Sequence, residues 1–201
     1  ARILILITFR PEYGHGWSSR GFYTQLRVDP LSPENAEELL DGLLGRRPDL
    51  GPLKPLLIER TDGNPFFLEE SVRTLVETGA LAGERGTYRL VQPAPSIQVP
   101  ASVEEVLAAR IDRLPSDEKA LLQPAAVIGR HVAAPLLAAV ADVPEETVAR
   151  ALAHLQASEF LYEASQFPER EFTFKHALTQ EVAYASVLPD RRRALHARVL
   201  T

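Results

Sequence analysis

The sequence predicts a mainly helical α+β protein. Apolar side chains recur at helical spacing through most of the 201 residues, and helix start signals precede several of these stretches. A few short runs are instead rich in β-branched and aromatic residues, which is typical of strands. Hydrophobic residues make up 45% of the chain, enough to bury a core. Cysteine is absent, which excludes a disulfide framework, a zinc finger and a thiol nucleophile.

The chain begins at Ala1 and contains no methionine, so we expect it to be a segment of a longer protein. Its formal net charge of −5 gives no general attraction to nucleic acid. The longest apolar runs, Ile3–Ile7 and Val132–Ala141, are shorter than the roughly 20 residues that a membrane helix needs. No signal-peptide pattern opens the chain. We therefore expect a cytoplasmic protein with no membrane partner.

Residues 1–30 carry the first strand signals. Arg2–Thr8 is a nearly continuous apolar run, a pattern that predicts a strand buried on both faces, as in a parallel sheet. A loop rich in Gly, Pro and Ser follows over Phe9–Arg20, and Phe22–Val28 alternates like a second strand. We expect this region to contribute strands to a sheet.

Residues 31–114 are predicted to form helices, with one β-hairpin between the third and the fourth. Ser32 and Pro33 form a helix start, Pro65 opens another helix, and Ser102 with Glu105 forms a capping box. The predicted elements are a helix from Ser32 to Leu44, helices Leu53–Arg60 and Pro65–Gly79, a hairpin over Ala80–Val91, a linker over Gln92–Pro100 and a helix from Ser102 to Leu114.

Residues 115–175 have the pattern of a winged-helix domain, three helices followed by a β-hairpin. The predicted elements are helices at Ser116–Ile128, Val132–Val140 and Pro144–Ala157, and strands at Phe160–Glu163 and Glu171–Phe174. Pro124 should kink the first of these helices. Two further helices, Ala177–Val187 and Asp190–Leu200, are the expected start of a helical-repeat arm.

No complete active site is visible. The chain contains no Gly-Lys dipeptide and therefore no phosphate loop of the G-x-x-x-x-G-K-[ST] type. Its five histidines share no metal-ligand spacing. We accordingly predict no catalytic residue and no metal ligand, and we expect the chain by itself not to be an enzyme.

Three positions are nevertheless candidates for ligand contact. Arg10 follows an apolar strand, where α/β sheets bind ligands, and an arginine can bind phosphate through two parallel hydrogen bonds. Pro65, after Gly63 and Asn64, presents a rigid ring that could lie against a purine. His176 stands at a strand-to-helix junction, where an imidazole could donate to an anion. Each also has a purely structural interpretation: a surface arginine, a helix-start proline and a capping histidine.

The candidate positions lie within a series of four sequence motifs. In chain order these are ILITFRPEY, ERTDGNPFFLEESVRTLVETGAL, VPASVEEVLAARIDRLP and FTFKHALTQEVAYASVL. Together they resemble the STAND-class signalling ATPases. The resemblance is closest to the ATPase module of bacterial proteins that join an adenylate/guanylate cyclase domain, an AAA-like ATPase and tetratricopeptide repeats. It covers essentially the whole chain.

The resemblance implies a role for each candidate residue. Thr8 and Arg10 look like the sensor-1 position, where an arginine at a strand end senses the γ-phosphate. Asn64 and Pro65 are similar to the G-x-P motif of a helical lid, whose proline packs on the nucleotide base. His176 resembles the histidine that reaches the β-phosphate of ADP, although it stands in Lys-His-Ala here and in Met-His-Asp in related ATPases.

The resemblance also implies an organisation. Residues 1–30 would end a nucleotide-binding P-loop core, 31–114 would form the lid, 115–175 the winged-helix domain and 176–201 the start of the arm. The phosphate loop, the Mg²⁺-binding strand and any cyclase domain would lie upstream in the same chain. ATP or ADP with Mg²⁺ would then be the cofactor of the intact protein, a protein effector or oligomer its partner, and we expect this segment alone to bind nucleotide weakly.

Two other functions are compatible with the sequence. A winged-helix domain can bind DNA, but its expected recognition helix, Pro144–Ala157, begins with Glu145 and Glu146 and carries only Arg150 as a fixed positive charge. The chain could also be a non-catalytic scaffold for protein interaction. The nucleotide-dependent switch is the interpretation we prefer.

Overall fold

The structure, a computed structural model, describes residues 3–9, 13–14, 16–17 and 21–200. The chain divides into two compact units, Ala1–Pro30 and Leu31–Thr201. Within the described residues helices predominate, and the strands form two small antiparallel sheets. The predicted class, mainly helical α+β, is confirmed at this level.

The two strands predicted in the first unit are not observed. Residues 3–9 and 22–28 contain neither helix nor strand. The apolar side chains of the first run are exposed, from 49% for Ile7 to 94% for Leu4. A strand forms only where a neighbouring strand takes up its backbone hydrogen bonds, and none of the described residues pairs with either run. The strand predictions at Arg2–Thr8 and Phe22–Val28 are therefore wrong for the described residues of these runs.

The second unit begins with three helices and a hairpin. Its elements are α1 (Pro33–Leu44), α2 (Leu53–Thr61), α3 (Pro65–Glu77), β1 (Leu81–Ala82) and β2 (Arg89–Leu90), with a short 3₁₀ helix at Pro48–Leu50. Each helix begins close to its predicted start, because the start signals are local: the Ser32 hydroxyl accepts a hydrogen bond from the Asn35 amide at 3.3 Å. Leu40, Leu57 and Leu68 are fully buried where the three helices meet.

A linker containing a 3₁₀ helix at Ala94–Ser96 leads to α4 (Val103–Arg113). The predicted capping box is present, with the Ser102 hydroxyl accepting from the Glu105 amide at 3.2 Å. The Glu105 carboxylate accepts a hydrogen bond from the Ala101 amide at 2.9 Å. In an ordinary capping box this carboxylate accepts from the amide of the N-cap residue, which is Ser102 here. This cap fixes where the chain turns into α4.

Three helices and a three-stranded antiparallel sheet follow. They are α5 (Ser116–Ile128), β3 (His131–Ala133), α6 (Ala134–Ala141), α7 (Glu145–Ala157), β4 (Leu161–Ser165) and β5 (Glu171–Phe174), with the sheet in the order β3-β5-β4. The helix predicted over Val132–Val140 is wrong in its first two residues, because Val132 is fully buried as a strand residue opposite Phe172. The third strand was not predicted.

A second core joins these elements to the first of the last two helices. Phe160, Phe172 and Phe174 are at most 2% exposed and pack with apolar residues of α5, α6 and α7. The last helices are α8 (Ala177–Ala185) and α9 (Pro189–Val199). Ala183 of α8 belongs to the same core, whereas Leu195 of α9 packs in a smaller cluster. Among the described residues, no helix has the length and apolar character required to cross a membrane.

Candidate functional site

The candidate site is built on the turn that precedes α3. Asp62 and Gly63 are both left-handed, with φ of 49° and 66°, and they turn the chain sharply out of α2. The Gly63 carbonyl accepts from the Leu31 amide at 2.9 Å. A Cβ atom on Gly63 would lie only 2.3 Å from the Leu31 carbonyl oxygen, so glycine is the residue that this turn requires.

Asn64 and Pro65 start α3 as the sequence predicts. The Asn64 side chain accepts a hydrogen bond from the Phe67 amide at 3.2 Å, and Pro65 occupies the first helical position, where no amide hydrogen is needed. Both residues are exposed. The proline ring is therefore a rigid, accessible apolar surface, and the asparagine amide group is committed partly to the helix.

The residue after Pro65 contacts a histidine that is distant in sequence. The rings of Phe66 and His176 are stacked with their centroids 3.9 Å apart and their planes inclined by 37°. Phe66 lies in the first turn of α3, whereas His176 is the N-cap residue of α8 and is separated from β5 by Lys175 alone. Two of the predicted site positions, Pro65 and His176, are thus linked through Phe66.

His176 is half-buried and its Nε2 atom has no hydrogen-bond partner among the described residues. A buried polar atom without a partner costs free energy, so such an atom calls for an explanation. Burial lowers the pKa of His176, and Lys175 and Arg73 lower it further, while Glu70 and Glu69 oppose the shift. The imidazole is accordingly held toward its neutral form, in which one ring nitrogen donates and the other accepts.

The two cations nearest to this stack are already paired. Lys175 and Arg73 both contact the Glu159 carboxylate, and Arg73 also contacts Glu70 at 3.2 Å. Burial would raise the pKa of Glu159, but these two cations outweigh burial, and its pKa lies below the usual value. Neither cation is free to bind a phosphate unless it leaves its carboxylate.

A buried arginine, which the sequence analysis missed, lies behind the stack. The Arg110 side chain is 2% exposed; it contacts Glu70, donates to Glu77 at 2.9 Å and donates to the Ser158 carbonyl at 2.9 Å. Its guanidinium also lies over the Phe160 ring, 4.7 Å from the centroid. Arg110 therefore ties α3 and α4 to the turn between α7 and β4.

A sequence signal for this arginine existed. Arg110 lies three residues after Leu107 and four after Val106, so it falls on the apolar face of α4. A charged residue on such a face is either paired or costly. The same reasoning applies to Glu70, which is 3% exposed among the apolar residues of α3.

The other two predicted site residues belong to the first unit. Thr8 is exposed and lies in an extended segment without secondary structure. Arg10 lies outside the described residues. The structure thus brings together Asn64, Pro65 and His176, which all belong to the second unit, and it adds Phe66 to them.

A metal site is not apparent in the part of the chain that the structure describes, where no group of three or more His, Asp or Glu residues is arranged to hold an ion. Glu70 and Glu159, two carboxylates close to the stack and to Lys175, are occupied by arginine and lysine. A magnesium ion would have to displace these cations in order to bind to either carboxylate.

Comparison with protein-family models finds no match to this chain, and comparison with curated proteins finds none at a significant level. The geometry of the site offers an exposed proline ring, an aromatic–imidazole stack and one buried ring nitrogen without a hydrogen-bond partner in the described part of the chain, beside the ion-paired side chains of Lys175, Arg73 and Glu159. Such a surface suits a flat, neutral ring system better than it suits an isolated phosphate.

Proposed function

We propose that this chain is the lid and winged-helix portion of a nucleotide-dependent signalling switch. In this proposal α1–α4 with the β1–β2 hairpin form the lid, and α5–α7 with β3–β5 form the winged-helix domain. Helices α8 and α9 begin a helical arm. ATP or ADP would be bound jointly with a P-loop core that lies upstream in the same polypeptide, and an effector or a second copy would respond to the change.

The observation that carries the proposal is the stack of Phe66 on His176. It joins the start of α3, where Pro65 is exposed, to the junction between β5 and α8. In this proposal a nucleotide base lies on the Pro65 ring and its phosphates extend toward His176. The Nε2 of His176 is buried and has no partner among the residues that this structure describes. We expect it to become accessible and to hydrogen-bond to a phosphate oxygen when a nucleotide is bound.

The residues of this segment supply little free energy for phosphate binding. A charged hydrogen bond contributes about 1.5–3 kcal/mol. Shifting a two-state equilibrium from 1:99 to 99:1 requires about 5.5 kcal/mol. His176 alone cannot supply that difference, and Lys175 and Arg73 are engaged by Glu159. The remaining contacts are assigned in this proposal to Arg10 and to the upstream phosphate loop.

The DNA-binding alternative is less well supported. Helix α7 would be the reading helix of a winged-helix DNA-binding domain, and its first turn carries two exposed carboxylates, Glu145 and Glu146. Negative charge at that position repels the phosphate backbone, which supplies most of the non-specific affinity. We therefore retain the nucleotide switch as the proposed function.

The test is a titration of the full chain with adenosine and, separately, with ADP, followed by amide chemical shifts. We expect millimolar dissociation constants for both, because the base binds at Pro65 and no free cation surrounds the phosphates in the described residues. The amides of Phe66 and His176 should shift most. Pro65→Ala should weaken adenosine binding several-fold.

Pro33→Ala is the matched control, since Pro33 is also an exposed proline at the first position of a helix. It should leave adenosine binding unchanged. Equal weakening by both substitutions, or shifts confined to other helices, would contradict the proposed site. A micromolar ATP constant for this chain alone, measured by calorimetry, would contradict the division of phosphate contacts between this segment and the upstream loop.

A further inference from the structure

Helix α5 contains an internal proline, Pro124, that lines a cavity. Pro124 is buried in the interior of the helix and has no amide hydrogen. The carbonyl of Ala120, four residues earlier, therefore lacks its ordinary helical donor. Ala120 and Pro124 both line a cavity of about 240 Å³ between α5, α6, the start of α7 and α9.

The walls of this cavity are largely apolar. Leu121, Val140 and Leu195 line it and are each no more than 5% exposed. Smaller apolar residues, Ala141, Val143 and Ala194, contribute to the same walls, and Thr147 adds a hydroxyl group to the lining. The volume is that of a small ligand, below the range of about 300–1,000 Å³ that drug-sized ligands and cofactors usually occupy.

The rim of the cavity carries an excess of positive charge. Arg191 and Arg198 stand one on each side of Ala194 and Leu195 on a single face of α9, and Asp117 is the one acidic residue in the lining. Arg198 donates to the Val140 carbonyl at 3.1 Å, and Asp117 accepts from the Ser116 hydroxyl at 3.0 Å. Arg191 is exposed and has no ion-pair partner within the described ranges.

We propose that this cavity binds a small molecule with an apolar body and a single carboxylate, such as a medium-chain or aromatic carboxylic acid. The carboxylate pairs with Arg191, whose guanidinium can donate two parallel hydrogen bonds to it. The apolar body lies on Leu121, Val140 and Leu195. A hydroxyl group on the body would find an acceptor in the Ala120 carbonyl.

This site is independent of the nucleotide proposal, because it shares no residue with the Pro65–His176 region. Its occupant would bridge α9 to α5 and α6. Leu195 already packs there with Val127, Val140 and Val187. A bound carboxylate therefore strengthens the packing of α9 against α5 and α6. The position of α9, which belongs to the proposed arm, then depends on whether the ligand is bound.

The experiment titrates the full chain with octanoate, octanol and octylamine, which share one apolar chain and differ in the head group. We expect octanoate to bind most tightly and octylamine least tightly. Amide shifts should concentrate at Ala120, Leu121 and Ala194. Arg191→Gln should weaken octanoate binding about tenfold, the loss expected when a charge-assisted hydrogen bond is removed, and should leave octanol unaffected.

Two matched controls come from the same helix. Arg193→Gln removes one positive charge at a residue that is paired with Asp190 and does not line the cavity. Ala194→Phe should block the mouth of the cavity, whereas Ala197→Phe, also at an exposed position of α9, should not. Folding of each variant is verified by circular dichroism before titration.

Four results would overturn the proposal. One is the absence of saturable octanoate binding. Another is equal affinity for the three head groups, which would indicate a purely apolar groove. The third is equal weakening by Arg191→Gln and Arg193→Gln, which would reduce the effect to net charge. Self-association that Ala194→Phe abolishes, without octanoate binding, would assign the groove to a second copy of the chain and would also exclude the small-molecule site.

Discussion

The two units of this chain use similar apolar residues with opposite results. Ile5 and Leu6, in the first unit, are 75% and 83% exposed, whereas Leu40 and Leu68, in the second, are fully buried. The difference lies in partners: the helices of the second unit present apolar faces to one another, whereas no described residue pairs with Ile5 and Leu6 as a neighbouring strand. Apolar composition therefore creates structure only where a complementary surface exists.

The largest expected effect tests this contrast directly. Phe172→Ala removes a fully buried ring from the second core and should lower the free energy of unfolding by about 3–5 kcal/mol. Ile5→Ala should change it by less than about 0.5 kcal/mol, because the side chain is 75% exposed. Chemical unfolding of the full chain, followed by circular dichroism, measures both. A comparable loss for Ile5→Ala would mean that the first unit is packed in solution.

The second prediction concerns the contribution of the buried Arg110–Glu70 ion pair to stability. Arg110→Ala leaves the buried Glu70 carboxylate with fewer positive partners and should cost about 3–5 kcal/mol of stability. The double variant Arg110→Met with Glu70→Leu should recover most of that loss, since similar volumes of apolar side chain replace the pair. Urea midpoints of the single and double variants give the comparison.

Arg113→Ala is the control for this pair. Arg113 contacts Glu77 at 3.1 Å, but its side chain is 38% exposed, so its loss should cost no more than about 1 kcal/mol. If Arg113→Ala and Arg110→Ala were equally destabilising, burial would not explain the strength of the Arg110 contacts. If the double variant stayed as unstable as Arg110→Ala, the Ser158 carbonyl or Glu77 would be the important partner.

The sequence was most informative where the signal is local. Ser32, Asn64 and Ser102 each cap the helix that the sequence predicted, because a cap needs only the three or four residues that follow it. Strands depend on a partner elsewhere. Arg2–Thr8 was predicted as a strand and forms none in its described residues, whereas β3, with only three residues at His131–Ala133, was missed.

The candidate site was only partly predictable for the same reason. Asn64, Pro65 and His176 could be named from local motifs, but the contact of Phe66 with His176 joins residues that are 110 positions apart (176 − 66). No periodicity reports such a contact. The charged network around Arg110 likewise unites α3, α4 and the turn after α7, and only the misplaced charge on an apolar helix face indicates it.

A smaller change in the free energy of unfolding is expected from glycine substitutions, which can be compared between the two units. Gly63→Ala introduces a Cβ at a left-handed residue, 2.3 Å from the Leu31 carbonyl oxygen, and should cost at least about 1–2 kcal/mol. Gly14→Ala, in the first unit, has no atom within 4 Å of the added Cβ and should be nearly neutral. Thermal unfolding of both variants distinguishes a required turn from an unconstrained one. A neutral Gly63→Ala would show that the turn before α3 relaxes freely.

The smallest expected effect is a pH dependence that originates in the second unit. Burial lowers the pKa of His176 in the folded state below its ordinary value of about 6.5. As the pH falls through that value, the unfolded chain takes up the proton first, so folding stability decreases with decreasing pH down to the folded pKa. Denaturation midpoints between pH 8 and pH 5 should fall accordingly, and His176→Gln should flatten this slope. A slope that persists in His176→Gln would assign the pH dependence to another group and would remove the argument that the imidazole is held neutral beneath Phe66.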